Sequence, residues 1–375
     1  MKHLRQNSKI NSFGSNARKA SIGLALIELM IALTVGSILT AGVIQIFISN
    51  KAAYKLNEEY SLLQENGRRT LRRLGYSIMM ADHWGIMTTN DVGSKMLAAG
   101  TVKSAVTGIG NCDGDWVVET STTNGDVVAS GIVGYEGESS LSAVVTNSGL
   151  PSGCIVDSEY VANSDIIVLR YADAGQLVDK SFLGSTSAPN FAKTVFIRGG
   201  VNNINKVIFP FTEVVLGGEV QNLGVPDVDG VYNYPYSVEL YYLRNCTTKD
   251  SGTGCLDNKP ALVHMRLSSE TGSAPELVEE VVAENIEQLQ FLYGVDLDND
   301  GNLDEYNSAD AITDWAQVIS VSVSFISRTG IKSPEFSDSN TYTMLDYTHT
   351  PASADVKYHR KLYEKNILIR NRVRS

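Results

Sequence analysis

"GLALIELMIALTVGSILTAGVIQIF", Gly23 to Phe47, is an almost pure hydrocarbon stretch with one carboxylate, Glu28, near its start. From Leu24 to Ile48 there are 25 residues and that single charge, enough to cross a bilayer as a helix. A carboxylate in hydrocarbon costs about 3 kcal/mol on insertion scales, so its presence needs a reason. A cleaved secretory signal would have a shorter apolar core followed by a small-residue cleavage site. An ordinary signal anchor explains the length but not the acid. A buried core helix is rarely this apolar all round.

The pattern continues past the run. In "NKAAYKLNEEYSLLQENGRRTLRRLGYSIMMA" apolar side chains recur at Ala53, Leu56, Tyr60, Leu63, Leu71, Leu74 and Ile78. Steps of three and four mark one face of a helix, and the other face carries Arg68, Arg69, Arg72 and Arg73. One helix of more than fifty residues is expected, apolar all round in its first half and amphipathic in its second. Gly67 is its weak point. Lys2, Arg5, Lys9, Arg18 and Lys19 precede the run with no acid among them, whereas the whole chain carries −11. Basic residues before an apolar span hold that end in the cytoplasm, which puts an acidic body outside and disfavours non-specific nucleic-acid binding.

From about residue 84 short β-branched and aromatic runs alternate with Gly, Asn, Asp and Ser clusters: "DWVVET", "SDIIVLRY", "KTVFIR", "YSVELYYLR" and "ALVHMRL". "VISVSVSFISR" is the clearest strand, its Ile319, Val321, Val323 and Phe325 predicting a buried face and its serines a wet one. Residues 87–150 read as loop-heavy. The fold class is α+β, a long N-terminal helix packed on a mostly antiparallel sheet. The expected divisions are 1–23, a basic leader; 24–48, the apolar helix; 49–82, the amphipathic helix; and 83–375, the β-rich body.

Cys112, Cys154, Cys246 and Cys255 form no C-x-x-C pair, which weakens zinc and redox readings. In an exported body two disulfides are the simplest use. Sequence proximity favours Cys246–Cys255 and leaves Cys112–Cys154, one of three possible connectivities. "DLDNDGNLD" places Asp296, Asp298, Asp300 and Asp304 with Gly301 at the sixth position and the Asn302 carbonyl at the seventh. That is the oxygen-rich spacing of a calcium loop, although Asn307 stands where a bidentate Glu is usual. "PDVDG" reads as a turn. The five histidines show no ligand or triad spacing, and no nucleophile elbow, phosphate loop or zinc-protease motif occurs. No enzymatic activity is expected.

"GLALIELMIAL" resembles the class III signal of type IV prepilins: a basic leader, a glycine, then an apolar segment whose fifth residue is glutamate. The resemblance implies a membrane peptidase that cuts between Gly23 and Leu24 on the cytoplasmic side and N-methylates Leu24. The new ammonium group then needs a partner in an apolar setting, and Glu28 supplies it on the same chain or a neighbour, setting subunit register. Leu24 and Ala25 depart from the family's usual residues there. Further on, "SLLQENGRRTLRRLGYSIMMA", "NSDIIVLRYA", "AENIEQLQFLYGVDLDNDG", "ADAITDWAQVISVSVSFISRT" and "ILIRNRVRS" resemble the PilW-type minor pilins; residues 87–160 match only loosely. The J-type minor pseudopilin of type II secretion, usually shorter and lacking "YGVDLDNDG", is the runner-up. A pilin-anchored calcium-dependent adhesin is a further alternative. The resemblance implies a non-enzymatic subunit that starts in the inner membrane with a periplasmic body. It then joins other minor pilins and the major pilin, priming assembly at a pilus tip that can carry a large adhesin. Twitching, adhesion or DNA uptake would follow from the machine.

Overall fold

The computed structural model describes residues 22–85, 112, 116–117, 121–123, 126–128, 130–173, 196–200, 214–215, 219–220, 231–250, 254–268 and 276–372. The leader, apart from its last two residues, and the turn expected at Pro226–Gly230 lie outside them.

One helix, α1 (Ile22–Met80), runs for 59 residues, as the unbroken periodicity requires. The chain divides into two compact units, Met1–Glu58 and Glu59–Ser375. In the first, every described side chain from Leu26 to Lys55 is exposed. Three of its hydroxyls bond back to the helix: Thr34 donates to the Ile31 carbonyl, Ser37 to Thr34 and Thr40 to Gly36. Such back-bonding hides polar groups within a helix.

Among the described residues the second unit is built on two larger antiparallel sheets, with four two-stranded ribbons beside them. Its principal elements are β1 (Ile132–Tyr135), α2 (Leu141–Ser148), β2 (Ile166–Ala172), β3 (Phe196–Gly200), β4 (Val231–Arg244), β5 (Ala261–Ser268) and β6 (Glu276–Glu284). They continue with β7 (Ile286–Val295), β8 (Glu305–Asn307), β9 (Val318–Arg328) and β10 (Arg360–Leu368). The six-stranded sheet runs β6-β5-β4-β2-β1, with β3 also on β4; the four-stranded sheet runs β8-β7-β9-β10.

Strand β2 shows why this packs as it does. All seven of its residues are buried. Ile166 and Val168 point into one core with Val238, Leu240, Tyr242, Val263 and α2's Leu141 and Val144. Ile167 and Leu169 point into the other, with Leu74 and Ile78 of α1 and Leu289, Phe291, Val323 and Phe325 of the second sheet. The period of two thus serves two apolar layers at once.

Three expectations need correcting. The serine face of β9 is not wet: Ser320, Ser322 and Ser324 are buried. Ser322 and Ser324 are short side chains among longer cross-strand neighbours, and Ser320 sits over Gly294. Ser322, opposite Leu292, shares a 2.5 Å hydrogen bond with Asn366, and Ser324, opposite Gln290, donates to Glu364. In "DWVVET" the two described residues, Trp116 and Val117, are helical, not extended. They are buried, and their carbonyls accept from the guanidinium of Arg170; so short an apolar run cannot be typed by period alone. Helix α2 lies where loop was expected. Ser140 caps it by accepting from the Ala143 amide, and Gly149 closes it at φ 79°, signals that were present in the sequence.

Gly67 is where α1 meets β10. A Cβ there would run into the ring of Tyr363, which stacks on Phe325 and donates to the Leu63 carbonyl at 3.3 Å. Helix propensity alone makes Gly→Ala worth about 1 kcal/mol of stabilisation. Gly67→Ala should instead lower the melting temperature, because the clash outweighs propensity, and in a Tyr363→Ala background the same change should raise it. A thermal melt of the four-member double-mutant cycle checks this; equal effects in both backgrounds would refute the contact.

Candidate functional site

Helix α1 begins at Ile22, so Gly23 and Leu24 are helical and Glu28 stands on its first turns. Glu28 is exposed, and among the described residues it has no ion pair or hydrogen bond. The apolar side chains around it are exposed as well, Leu26, Ile27, Leu29 and Met30 each by more than half. A carboxylate in such a shell can pair only with a group from outside its own helix surface or from the chain terminus.

The acidic loop links β7 to β8, where Val295 pairs with Glu305. Asn299 and Gly301 take left-handed backbone, φ 60° and 85°, which bends the loop back on itself. Asp296, Asp298 and Asp304 each bring a carboxylate oxygen within 4.8 Å of the others. Two oxygens on opposite sides of a calcium ion at about 2.4 Å each are about that far apart. Asp300 and Asn302 are arranged otherwise. Asp300 accepts from the Asn302 amide at 2.7 Å and from its Nδ2 at 2.8 Å, so these two engage each other. Asp296 accepts from the amides of Asp300 and Gly301, and Asp304 from that of Leu297. The Asp300 amide favours the ionised form of Asp298, but slight desolvation and the carboxylates of Asp300, Asp304 and Asp296 outweigh it and raise the Asp298 pKa. The loop therefore gathers three of the four expected carboxylate ligands.

The four cysteines are joined as Cys112–Cys154 and Cys246–Cys255, with Cα separations of 5.2 and 5.4 Å, ordinary spans for a disulfide. The first ties the core beside α2; the second closes the turn after β4.

Two buried carboxylates had no signal in the sequence beyond sitting in strand-like runs. Glu239, on β4, accepts from Tyr171 at 3.0 Å, Tyr241 at 2.9 Å and Arg73 of α1 at 3.2 Å, and His264 lies 3.4 Å away. Burial opposes its charge, yet His264, Ser77 and Arg73 prevail and hold its pKa down at about 2. Asp165 accepts from the Gly137 amide at 2.8 Å and the Phe291 amide at 2.7 Å, bridging the end of β1 to β7 of the other sheet. Its neighbour Glu136 is the contrary case. Burial, then the charge of Asp346, lifts it to about 7, against a hydrogen bond from the Ala309 amide and with Asp310 and Glu138 adding to the rise.

Glu136 sets a pH signature. The folded protein keeps a proton that the unfolded chain releases near pH 4.5, so this contribution is whole below that pH and is lost as pH rises through about 7. Glu136→Gln should flatten the decline in urea stability between pH 5 and pH 8 and make the variant the more stable at pH 8. Parallel curves for the two proteins would contradict the assignment.

Comparison with known proteins bears on the same half of the chain. Among curated proteins and solved structures, none matches. Residues 240–371 match the family model PilW, the type IV pilus-assembly protein W. The matched segment runs from within β4 to just past β10 and includes the acidic loop. It closes on Asn371, which donates to the Ala81 carbonyl just past the end of α1. Taken with the long apolar helix and the antiparallel body, the match supports a type IV pilus-related protein of the minor-pilin type.

Proposed function

We propose that this chain is a minor pilin that primes type IV pilus assembly and sits at the tip with other minor pilins, where a large adhesin can be attached. The observation that carries this reading is the pairing of the PilW match with a helix whose first half is apolar and exposed all round. Such a surface is stable only in lipid or against other helices. Before assembly the chain spans the inner membrane once, with its basic end cytoplasmic and its body periplasmic. Prepilin peptidase cleaves between Gly23 and Leu24 and methylates the new terminus. Glu28 then pairs with the Leu24 ammonium of a neighbouring subunit, which explains why a carboxylate sits in this run. The role is structural, not enzymatic. The match to the pilus-assembly family, not to a secretion component, favours this over the pseudopilin reading.

N-terminal sequencing of the protein from sheared pili should begin at N-methylated Leu24. Glu28→Ala should leave that processing intact yet reduce the chain in the sheared fraction at least severalfold, since the neighbour's ammonium loses its partner. Retention of residues 1–23, or full incorporation of the variant, would overturn the reading.

We propose further that the acidic loop takes one calcium ion through Asp296, Asp298 and Asp304. The close approach of their oxygens supports this, as does the hard-oxygen chemistry that calcium prefers. The Asp300 carboxylate completes the sphere only by releasing the Asn302 amide and Nδ2, whereas the Asn302 carbonyl takes no part in those bonds. Affinity should therefore be modest, suited to millimolar external calcium. At a hundredfold excess over Kd, binding to the folded state alone adds about 2.7 kcal/mol. Calcium should raise the melting temperature relative to chelator, and Asp298→Ala should erase the difference; an unchanged melt at millimolar calcium would leave only a solvated turn.

A further inference from the structure

Within the second unit, α1 runs beside the outer edge of the six-stranded sheet. Strand β6 pairs with β5 on one side only among the described residues; the Glu284 carbonyl at its end accepts from Nδ2 of Asn66 at 3.4 Å, and the rest of its other edge offers a template for another strand. Two adjoining cavities of about 540 and 490 Å³ lie there, both lined by Arg69 of the helix and Val281 and Val282 of β6. The first is extended by Leu62 and Lys259, the second by Arg72 and Tyr76. Together they form a groove along one helix flank.

The charges in this groove do not balance. Arg73 is engaged by Glu239, Glu280 by Arg266 at 2.6 Å, and Arg328 lies 3.8 Å from Glu287. Glu59 accepts from the Gly330 amide at 2.8 Å. That leaves Arg69, Arg72 and Lys259 with no acidic partner among the described residues, against two carboxylates without a cation, Glu284 and Glu59, the latter holding only a neutral amide. An excess of unpaired cations is unusual on a chain of net −11. Leu62 and Val281 are 53% and 38% exposed, so the same groove offers apolar cover beside the cations.

We propose that the groove receives an extended, acidic peptide segment of another pilus subunit, which adds as a strand to the free edge of β6. Alternate side chains of an added strand face the same way. One set reaches Arg69 and Arg72, whose planar forks take carboxylates two hydrogen bonds at a time, while backbone groups pair with β6 and apolar residues cover Leu62 and Val281. Strand addition of this kind draws affinity from the main chain and specificity from side-chain contacts. The identity of the partner rests on the pilus reading; the chemistry of the groove does not.

The test uses the full chain in detergent and two fluorescein-labelled octapeptides, one alternating valine and glutamate, the other valine and lysine. Fluorescence anisotropy should show binding of the glutamate peptide, weakened by salt, and none of the lysine peptide. Arg69→Gln with Arg72→Gln should cut affinity at least tenfold while leaving the melting temperature within a few degrees; Arg69→Glu with Arg72→Glu should abolish it. Failure to bind, equal binding of both peptides, or unchanged binding by the double variant overturns the proposal. So does tighter binding of a single-stranded oligonucleotide, or self-association that occupies the groove. A photocrosslinker at Val281 in cells should trap a pilus subunit, and trapping only non-pilus proteins refutes that partner. The anisotropy assay requires no pilus, so its failure leaves the N-terminal processing result standing.

Discussion

A strand that is buried on both faces must be covered twice, and β2 imposes that condition on the whole second unit. Ile167 and Leu169 require the amphipathic turns of α1 and the four-stranded sheet; Ile166 and Val168 require the layer built around α2. Fully burying each such side chain is worth about 1.5–3 kcal/mol, so neither cover can be lost cheaply. The Cys112–Cys154 disulfide sits in the α2 layer. Glu239 anchors the other side, joining Arg73 of the helix to Tyr171 and Tyr241 of the central strands. Removing one member of such a buried charged cluster strands the others without water.

The end of α1 is fastened in the same manner. Asp82 follows the helix in left-handed backbone, φ 61°. Its carboxylate accepts from Trp84 at 2.9 Å and from Arg372 at 2.8 Å, and its amide donates to the Arg170 carbonyl on β2. Arg372 therefore closes on the residue where helix hands over to sheet, across 290 positions of sequence. This gives a physical meaning to the closing "RNR": Asn371 and Arg372 hold the helix end, while Arg370 is exposed.

Long, strictly periodic segments were legible. The apolar run with Glu28, the continuation of the helix, and "VISVSVSFISR" as the strand Val318–Arg328 all follow from period and composition. What escaped depends on neighbours distant in sequence. Alternation in β9 says nothing of the longer side chains of β7 and β10 that bury Ser322 and Ser324. Nothing local marks Asp165 as a bridge between sheets, or Glu136 as a carboxyl that holds its proton. Gly67 looked like a defect in the helix and is instead the gap that admits Tyr363. Within the acidic loop the residue types were right for calcium, but spacing could not reveal that Asp300 and Asn302 engage each other.

The two halves of α1 face opposite demands: the second is spent on its own body, and the first exposes a hydrocarbon surface that only lipid or other helices can cover. An assembly role follows from that contrast together with the PilW match. The most direct measurement is the number of surface pili on cells that lack this chain, counted by electron microscopy with the other pilus genes intact. An assembly primer predicts few or none, with the number restored by the intact chain. Pili in normal number would contradict the role.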